Sequence, residues 1–328
     1  MKRSWTAVGA GAAWFVAAIA AQPADPPSHP PANPPAAAQA TVSDPIEAEY
    51  RRLLEADDAA HAAVDQWIRE NAAFSEQGAD YSHVTLNARI ERRLEPVEKA
   101  YRDFLLRNPG HARARLAYGS FLNGLGRDDE ARVQWERVRD QDPKNPAVWN
   151  NLADYHARNG PIRKAFECLD RALALKPEEP VYCRNLATLL LLQRAEAREA
   201  YRLEDDQAVL RRALDLYRKA RRFDPDNFTL AADLAQVYYH LSSTPAGDKA
   251  AEARLADEAL AAWGDALRLA RNDLDREGVR LHLARVCLRH GRVEEARKHL
   301  GSVQNPALGP AKQQLAEELE RRPGSGPK

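Results

Sequence analysis

At 328 residues, with 44% hydrophobic and 29% charged side chains, the chain is long and apolar enough to bury a sizeable core, which excludes the disordered class. Its 48 Lys and Arg balance 48 Asp and Glu, and Arg alternates with Glu along the chain instead of gathering in one patch. That pattern excludes nucleic acid as an expected partner, because such binders concentrate positive charge to displace counterions.

The chain opens with Lys2 and Arg3, runs uncharged from Trp5 to Ile19, and closes this stretch with Ala18-Ile19-Ala20-Ala21. Residues 1–21 therefore read as a signal peptide with small residues at the cut. The stretch is rich in Ala and Gly and near the lower length limit for spanning a bilayer, which favours cleavage over the alternative, a retained membrane anchor. No Cys follows it, so a lipid anchor is not expected there. Removing Lys2 and Arg3 leaves 46 Lys and Arg against 48 Asp and Glu, a nearly neutral mature chain. The expected location is periplasmic or secreted, with membrane contact only if the segment is uncleaved.

Eight of the 21 prolines lie between residues 23 and 45. Residues 22–43 are thus expected to be a disordered Pro/Ala-rich linker. The folded body begins at Asp44-Pro45-Ile46-Glu47, a capping box with Pro at the first helical position. Ile46, Tyr50, Leu53, Ala56, Ala60, Val64 and Trp67 then recur at steps of three or four and predict an amphipathic helix. Residues 44–111 are assigned to such N-terminal helices. Within them, residues 78–109 fit a degenerate copy of the following repeat only through Tyr81, Val84, Val97, Tyr101, Phe104 and Pro109, and the choice between repeat and plain helix stays open.

From Pro109 the chain is periodic: Pro109, Pro143 and Pro177 are each 34 residues apart, and Pro225 follows after 48. Residues 146–179 read PAVWNNLADYHARNGPIRKAFECLDRALALKPEE. This resembles a tetratricopeptide repeat, through Trp149, Leu152 and Ala153 on a first helix, Gly160 in the turn, and Ala165, Leu169, Ala172 and Pro177 on and after a second. His156 stands where Tyr is usual. Further copies are anchored by Gly119, Leu122, Ala131 and Trp135; by Leu186, Ala187, Ala213 and Tyr217; by Leu234, Ala235, Ala259 and Trp263; and by Leu283, Ala284, Ala296 and Leu300. The resemblance spans residues 112–304. It implies an all-α fold, a right-handed α-solenoid of antiparallel helix pairs in five repeats. Small residues at the crossing let the two helices of a pair approach, and stacking buries what one repeat alone leaves exposed. Residues 305–322, with Leu308, Leu315 and Leu319, are expected to cap the array, and 323–328 form a disordered tail.

Two repeats carry insertions between their helices, near Arg194–Gln207 and Ser243–Arg254. The first is expected to lengthen both helices of its hairpin by about two turns. In the second, Pro245 is expected to end the incoming helix and Asp248 to cap a longer second one. The two should touch and form a ridge for a partner.

No HExxH, CxxC, GxSxG or GxxxxGK occurs, so no catalytic residue, metal or cofactor is expected and the chain reads as a non-enzyme. His282, His290 and His299 fit no metal-ligand spacing and read as solvated surface. Cys168 and Cys183 read as buried apolar residues, with a bridge between them as the alternative. Asn227-Phe228-Thr229 is a glycosylation sequon in an inter-repeat turn.

The resemblance implies that an unidentified protein or peptide partner lies in a groove lined by the first helix of each repeat. Its expected lining is Arg113, Leu116, Ser120 and Asn123 in the first repeat, and Asn150, Asp154 and Arg158 in the second. The third repeat supplies Val181, Arg184, Thr188, Leu191 and Leu192, and the fourth Thr229, Gln236, Tyr239 and His240. Leu191 and Leu192 exceed the repeat's own pattern, and either pack beneath the longer hairpin or face a partner. The Lys and Asn with which some members grip a C-terminal carboxylate are replaced by Leu116 and Ser120. Asn151 and Asn185 stand at the family's common sixth-position Asn, where a structural hydrogen bond is expected. No small-molecule substrate is evident, and the chain reads as an exported scaffold or adaptor.

Overall fold

The computed structural model of the chain describes residues 44–76, 83–243 and 247–321. The expected signal peptide, linker and tail lie outside the described residues. Those described form α-helices and one 3₁₀ turn, with no strand among them. The chain divides into two compact units, residues 1–97 and 98–328.

The first unit holds α1 (Pro45–Glu76) and the opening of α2 (His83–Arg107). Asp44 caps α1 by accepting a hydrogen bond from the Ile46 amide at 3.0 Å. Tyr50, Leu53, Ala60 and Val64, spaced for one face, are buried, and Arg89 lies 3.8 Å over the Trp67 ring. Residues 83–107 are one continuous helix through Pro96. The helix pair that a repeat over 78–109 needs is therefore not formed within α2.

The second unit begins in the last turns of α2, where the Tyr101 ring stacks on Tyr118 at 5.4 Å. Ten of the helices that follow make five hairpins. They are α3 (Ala112–Gly124) with α4 (Asp128–Gln141), α5 (Pro146–Asn159) with α6 (Ile162–Leu175), and α7 (Pro180–Leu192) with α9 (Asp206–Phe223). Then come α10 (Phe228–Val237) with α11 (Lys249–Leu269), and α12 (Asp273–Arg289) with α13 (Val293–Gly301). A short helix, α8 (Arg194–Tyr201), sits between α7 and α9. The array ends in a 3₁₀ turn (Pro306–Leu308) and α14 (Gly309–Glu320), which packs on α12 and α13 and buries Leu315 and Leu319.

Local signals set these boundaries. Asn145, Asn227 and Asn272 accept hydrogen bonds from backbone amides at the starts of α5, α10 and α12. Gly126, at φ +72°, turns the chain out of α3, a conformation other residues enter at a cost. Ala153, Ala165 and Ala172 are buried at the crossing of α5 and α6, between Leu152 and Leu169. Gly119 allows a still closer approach: a Cβ there would fall 2.6 Å from Trp135 Cδ1. All three cysteines are free and buried, and burial pushes the Cys168 thiol up to about 11.

The first insertion departs from expectation. It does not lengthen α7, which ends at Leu192, and α9 is longer than α6 by only about one turn, 18 residues against 14. The chain instead breaks at Gln193 and folds α8 back onto α6. The reason is burial. In this arrangement Ala197 is enclosed, the Tyr201 ring meets Phe166 at 5.4 Å, and its hydroxyl donates to Asp170 at 3.0 Å. A straight extension would leave those groups in water.

The second insertion follows expectation at α11. This helix has 21 residues, and the Asp248 carboxylate accepts from the Ala250 amide at 2.8 Å. However, α10 already ends at Val237, so Pro245, outside the described residues, is not what stops it. The first insertion reaches the residues just before the second: Gln207 Nε2 donates to the His240 carbonyl at 3.1 Å, and the Ser242 amide donates to Gln207 Oε1 at 2.9 Å.

Candidate functional site: the first-helix face

The first helices of the repeats, α3, α5, α7, α10 and α12, are tied to one another by a polar residue at the sixth position of the second to fifth repeats. Asn151 Nδ2 donates to Ser120 Oγ at 3.4 Å, and Asn185 Nδ2 donates to Asn150 Oδ1 at 2.8 Å. Asp233 accepts from Arg184 Nε at 2.7 Å, and His282 Nδ1 shares a hydrogen bond with the Tyr239 hydroxyl at 2.9 Å. Each link reaches back one repeat. Together they fix the spacing of neighbouring first helices, the structural role expected for Asn151 and Asn185.

Most of the expected lining is used in this way. The Leu116 carbonyl accepts from Ser120 Oγ and from Trp135 Nε1, both at 3.3 Å. Arg158 gathers three partners: Asn123, Asp154 at 2.7 Å and Asp128 at 3.1 Å. Thr188 shares a 2.8 Å hydrogen bond with the Tyr217 hydroxyl. Burial raises the Asp233 carboxyl, and the Arg184 guanidinium opposes that shift. The Gln236 carbonyl accepts from the Tyr239 amide at 3.1 Å. Arg113 and Val181 are exposed, Leu191 and Thr229 are half-buried, and Leu192 is 69% exposed.

Tyr239 belongs to the expected groove lining. It lies instead against the core, its ring centroid 5.9 Å from Trp263 and 5.8 Å from His282, and burial raises its hydroxyl well above the ordinary value. His282 is likewise not solvated surface: it is 4% exposed and lies flat on Trp263, centroids 4.0 Å apart. Burial pushes its imidazole down to about 3, so it is neutral. Desolvation, with Arg194 and Arg289 nearby, also lowers His240.

Residue-by-residue reading missed Asp233 and His282. Both stand at the sixth position, where Asn151 and Asn185 stand, so aligning the repeats at that position signals them. Asp128 and Gln207 lie off the first-helix template and carry no such signal, whereas Arg289 stands in α12 where Arg158 stands in α5. Among the described residues no three His, Cys, Asp or Glu are grouped to hold a metal ion.

An array of helix hairpins that presents one linked face of first helices is the architecture of a protein-interaction scaffold. Two tetratricopeptide-repeat family models match, over residues 112–155 and 134–180. The chain is a tetratricopeptide-repeat protein. It is similar to the photosystem I assembly protein Ycf3 of Rippkaea orientalis, 25% identical over 137 residues that cover 39% of this chain and 79% of the relative. Among solved structures it is similar to PilF of Pseudomonas aeruginosa, with 15% identity and a TM-score of 0.51, over 79% of this chain and 99% of that one. It is also similar to YrrB, described as a TPR protein with an unusual peptide-binding site, at 12% identity and a TM-score of 0.50, over 69% and 100% of the two chains. These structural likenesses bear on the fold.

Proposed function

We propose that the chain is an exported, non-catalytic scaffold or adaptor that holds a protein or peptide partner along the first-helix face of its repeats. The observation that carries this reading is the chain of inter-repeat bonds from Ser120 to His282, which makes the first helices one pre-ordered surface. Arg113, Val181 and Leu192 are exposed on that surface. A relative named as an assembly protein and a neighbour described by its peptide-binding site fit the same role. Export rests on Lys2, Arg3 and the apolar segment that follows them.

Two measurements test the reading. Cross-linking in cells, followed by identification of the captured protein, is expected to recover one partner with the parent chain and to lose it with Arg113→Glu plus Val181→Glu. Equal capture by that variant, with an unchanged helical spectrum, removes the first-helix face from the mechanism. Fractionation with mass spectrometry of the mature N-terminus is expected to find the chain outside the cytoplasm and starting after residue 21. A chain that keeps residues 1–21 in the membrane fraction is instead a tethered assembly factor, and one found in the cytoplasm overturns export.

A further inference from the structure

The edge of the array where first helices turn into second helices differs along its length, and the repeat register explains why. In the first two repeats this edge is electrically closed. Arg158, at the end of α5, reaches Asp128, the first residue of α4, at 3.1 Å, and Asn159 Nδ2 donates to the same carboxylate at 3.0 Å. Asp128 stands three residues before Ala131, the small residue of the repeat's second helix. The same register places Leu210 before Ala213 and Ala256 before Ala259. Both are buried, so the later repeats offer no carboxylate at that point.

Cations nevertheless stand there. Arg289, which holds in α12 the position of Arg158 in α5, donates Nη1 to the Tyr239 carbonyl at 2.8 Å and makes no ion pair among the described residues. Arg194 opens α8 and also makes none among them. Burial, and after it the charges of Arg194 and Arg289, lower His240. Asp257 pairs with Arg292, Asp206 with Arg198, and Asp205 caps α9, while Glu252 acts on His290 beside Arg289. Leu192, two residues before Arg194, is 69% exposed. The backbone beneath is held still, since Gln207 bonds both the His240 carbonyl and the Ser242 amide, and Tyr239 bonds His282.

We propose that Leu192, Arg194, His240 and Arg289 form a docking point for an acidic segment of a protein partner that carries an apolar side chain beside its carboxylates. This rests on the reading of the chain as a partner-binding scaffold and names the chemistry of one contact. This edge supplies the Arg194 and Arg289 guanidinium groups and, two residues before Arg194, an exposed leucine; carboxylates satisfy the guanidinium groups while an apolar side chain covers the leucine. A lipid surface fits less well. The same insertion carries exposed Glu196, Glu199 and Asp205, which repel an anionic bilayer more than a short peptide.

The test uses the full chain and fluorescein-labelled peptides of Asp, Glu, Leu and Gly, with controls in which Asn and Gln replace the acids. Fluorescence anisotropy is expected to show binding of the acidic peptide, weakened by salt, and little binding of the control. Arg194→Glu with Arg289→Glu should weaken it about tenfold or more, and Arg194→Ala with Arg289→Ala should weaken it less. Leu192→Ser should weaken it too, whereas Arg113→Glu in the first repeat should not. Circular dichroism verifies that each variant is folded. The proposal is overturned if the acidic peptide fails to bind, if both arginine variants bind it equally well, or if only phosphatidylglycerol vesicles are bound through these arginines. Loss of peptide binding with partner capture intact sinks this docking point alone, while loss of capture by the Arg113 and Val181 variant with peptide binding intact sinks the first-helix reading.

Discussion

The first two repeats and the next two use the same core for different ends. In residues 112–179 both repeats keep the 34-residue period, and the turn edge is closed by Asp128, Arg158 and Asn159. In residues 180–271 insertions move the starts of the second helices outward, and buried Leu210 and Ala256 occupy the register of Asp128. The core is indifferent to this: Ala165, Ala213 and Ala259 are all buried at their crossings. Packing fixes the stack, while charge on the turn edge is set by helix starts and is therefore free to vary from repeat to repeat.

The strongest test of the shared core is Ala165→Asp. Ala165 is 0% exposed between α5 and α6, and a carboxylate there has no partner. A loss of about 3–5 kcal/mol is expected. Thermal unfolding followed by circular dichroism checks it, and a Tm within a few degrees of the parent would mean that the crossing is looser than its burial implies. If the array is coupled through nearest neighbours, the loss spreads to the adjoining repeats.

The repeat was legible because its signals are steric and local. Small residues at fixed spacing, Gly119 against Trp135 and Ala153 against Ala165, admit few alternatives, and proline marks each turn. The shape of the first insertion was not legible. RAEAREAY announces a helix, but no Gly or Pro announces the break at Gln193, which is decided by Tyr201 finding Phe166 and Asp170 on another repeat. The first-helix lining was legible as a set of positions and not as a set of roles. Whether Tyr239 faces a partner or the core depends on Trp263 and His282, 24 and 43 residues further on. His282 itself was misassigned because an isolated His is usually solvated.

His282, in the fifth repeat, adds a dependence on pH to one that the first two repeats also carry, since burial lowers His156 as well. Its folded value of about 3 lies below the ordinary 6.5, chiefly through burial and further through Arg285. A group depressed by folding contributes stability that is complete above pH 6.5 and is lost as pH falls toward 3, because only the unfolded chain takes up the proton. The loss across that window is on the order of a few kcal/mol. His282→Phe keeps a ring on Trp263 and removes the proton site. Denaturant unfolding at several pH values is expected to show a shallower acid slope for the variant, and identical slopes would place the acid sensitivity elsewhere.

Gly119→Ala perturbs the regular region less. A Cβ there meets Trp135 within its α3–α4 hairpin and threatens the bond from Trp135 Nε1 to the Leu116 carbonyl. Overpacking costs about 1–3 kcal/mol, offset in part by the roughly 1 kcal/mol that Ala gains over Gly in a helix. A net loss of up to about 2 kcal/mol is expected on chemical denaturation. A stabilised variant would show that the Trp135 ring moves aside freely.

The smallest expected effect has the opposite sign and lies in the first insertion. Arg202 ends α8 at φ +52°, the only positive φ outside glycine among the described residues, and the Leu203 amide donates to the Arg198 carbonyl at 3.0 Å to close that end. A side chain with a Cβ pays about 1 kcal/mol for this conformation, whereas glycine adopts it without strain. Glycine also gives the unfolded chain more freedom, which returns part of the gain. Arg202 is exposed and makes no ion pair among the described residues, so no contact is given up. Arg202→Gly should therefore stabilise the chain by about 0.5 kcal/mol. The slope of unfolding against denaturant should stay unchanged. If α8 belongs to the same cooperative unit as α6 and α9, the midpoint rises as a whole. If instead the global midpoint stays fixed and only amide exchange within residues 194–201 slows, α8 opens independently of the repeats it packs on.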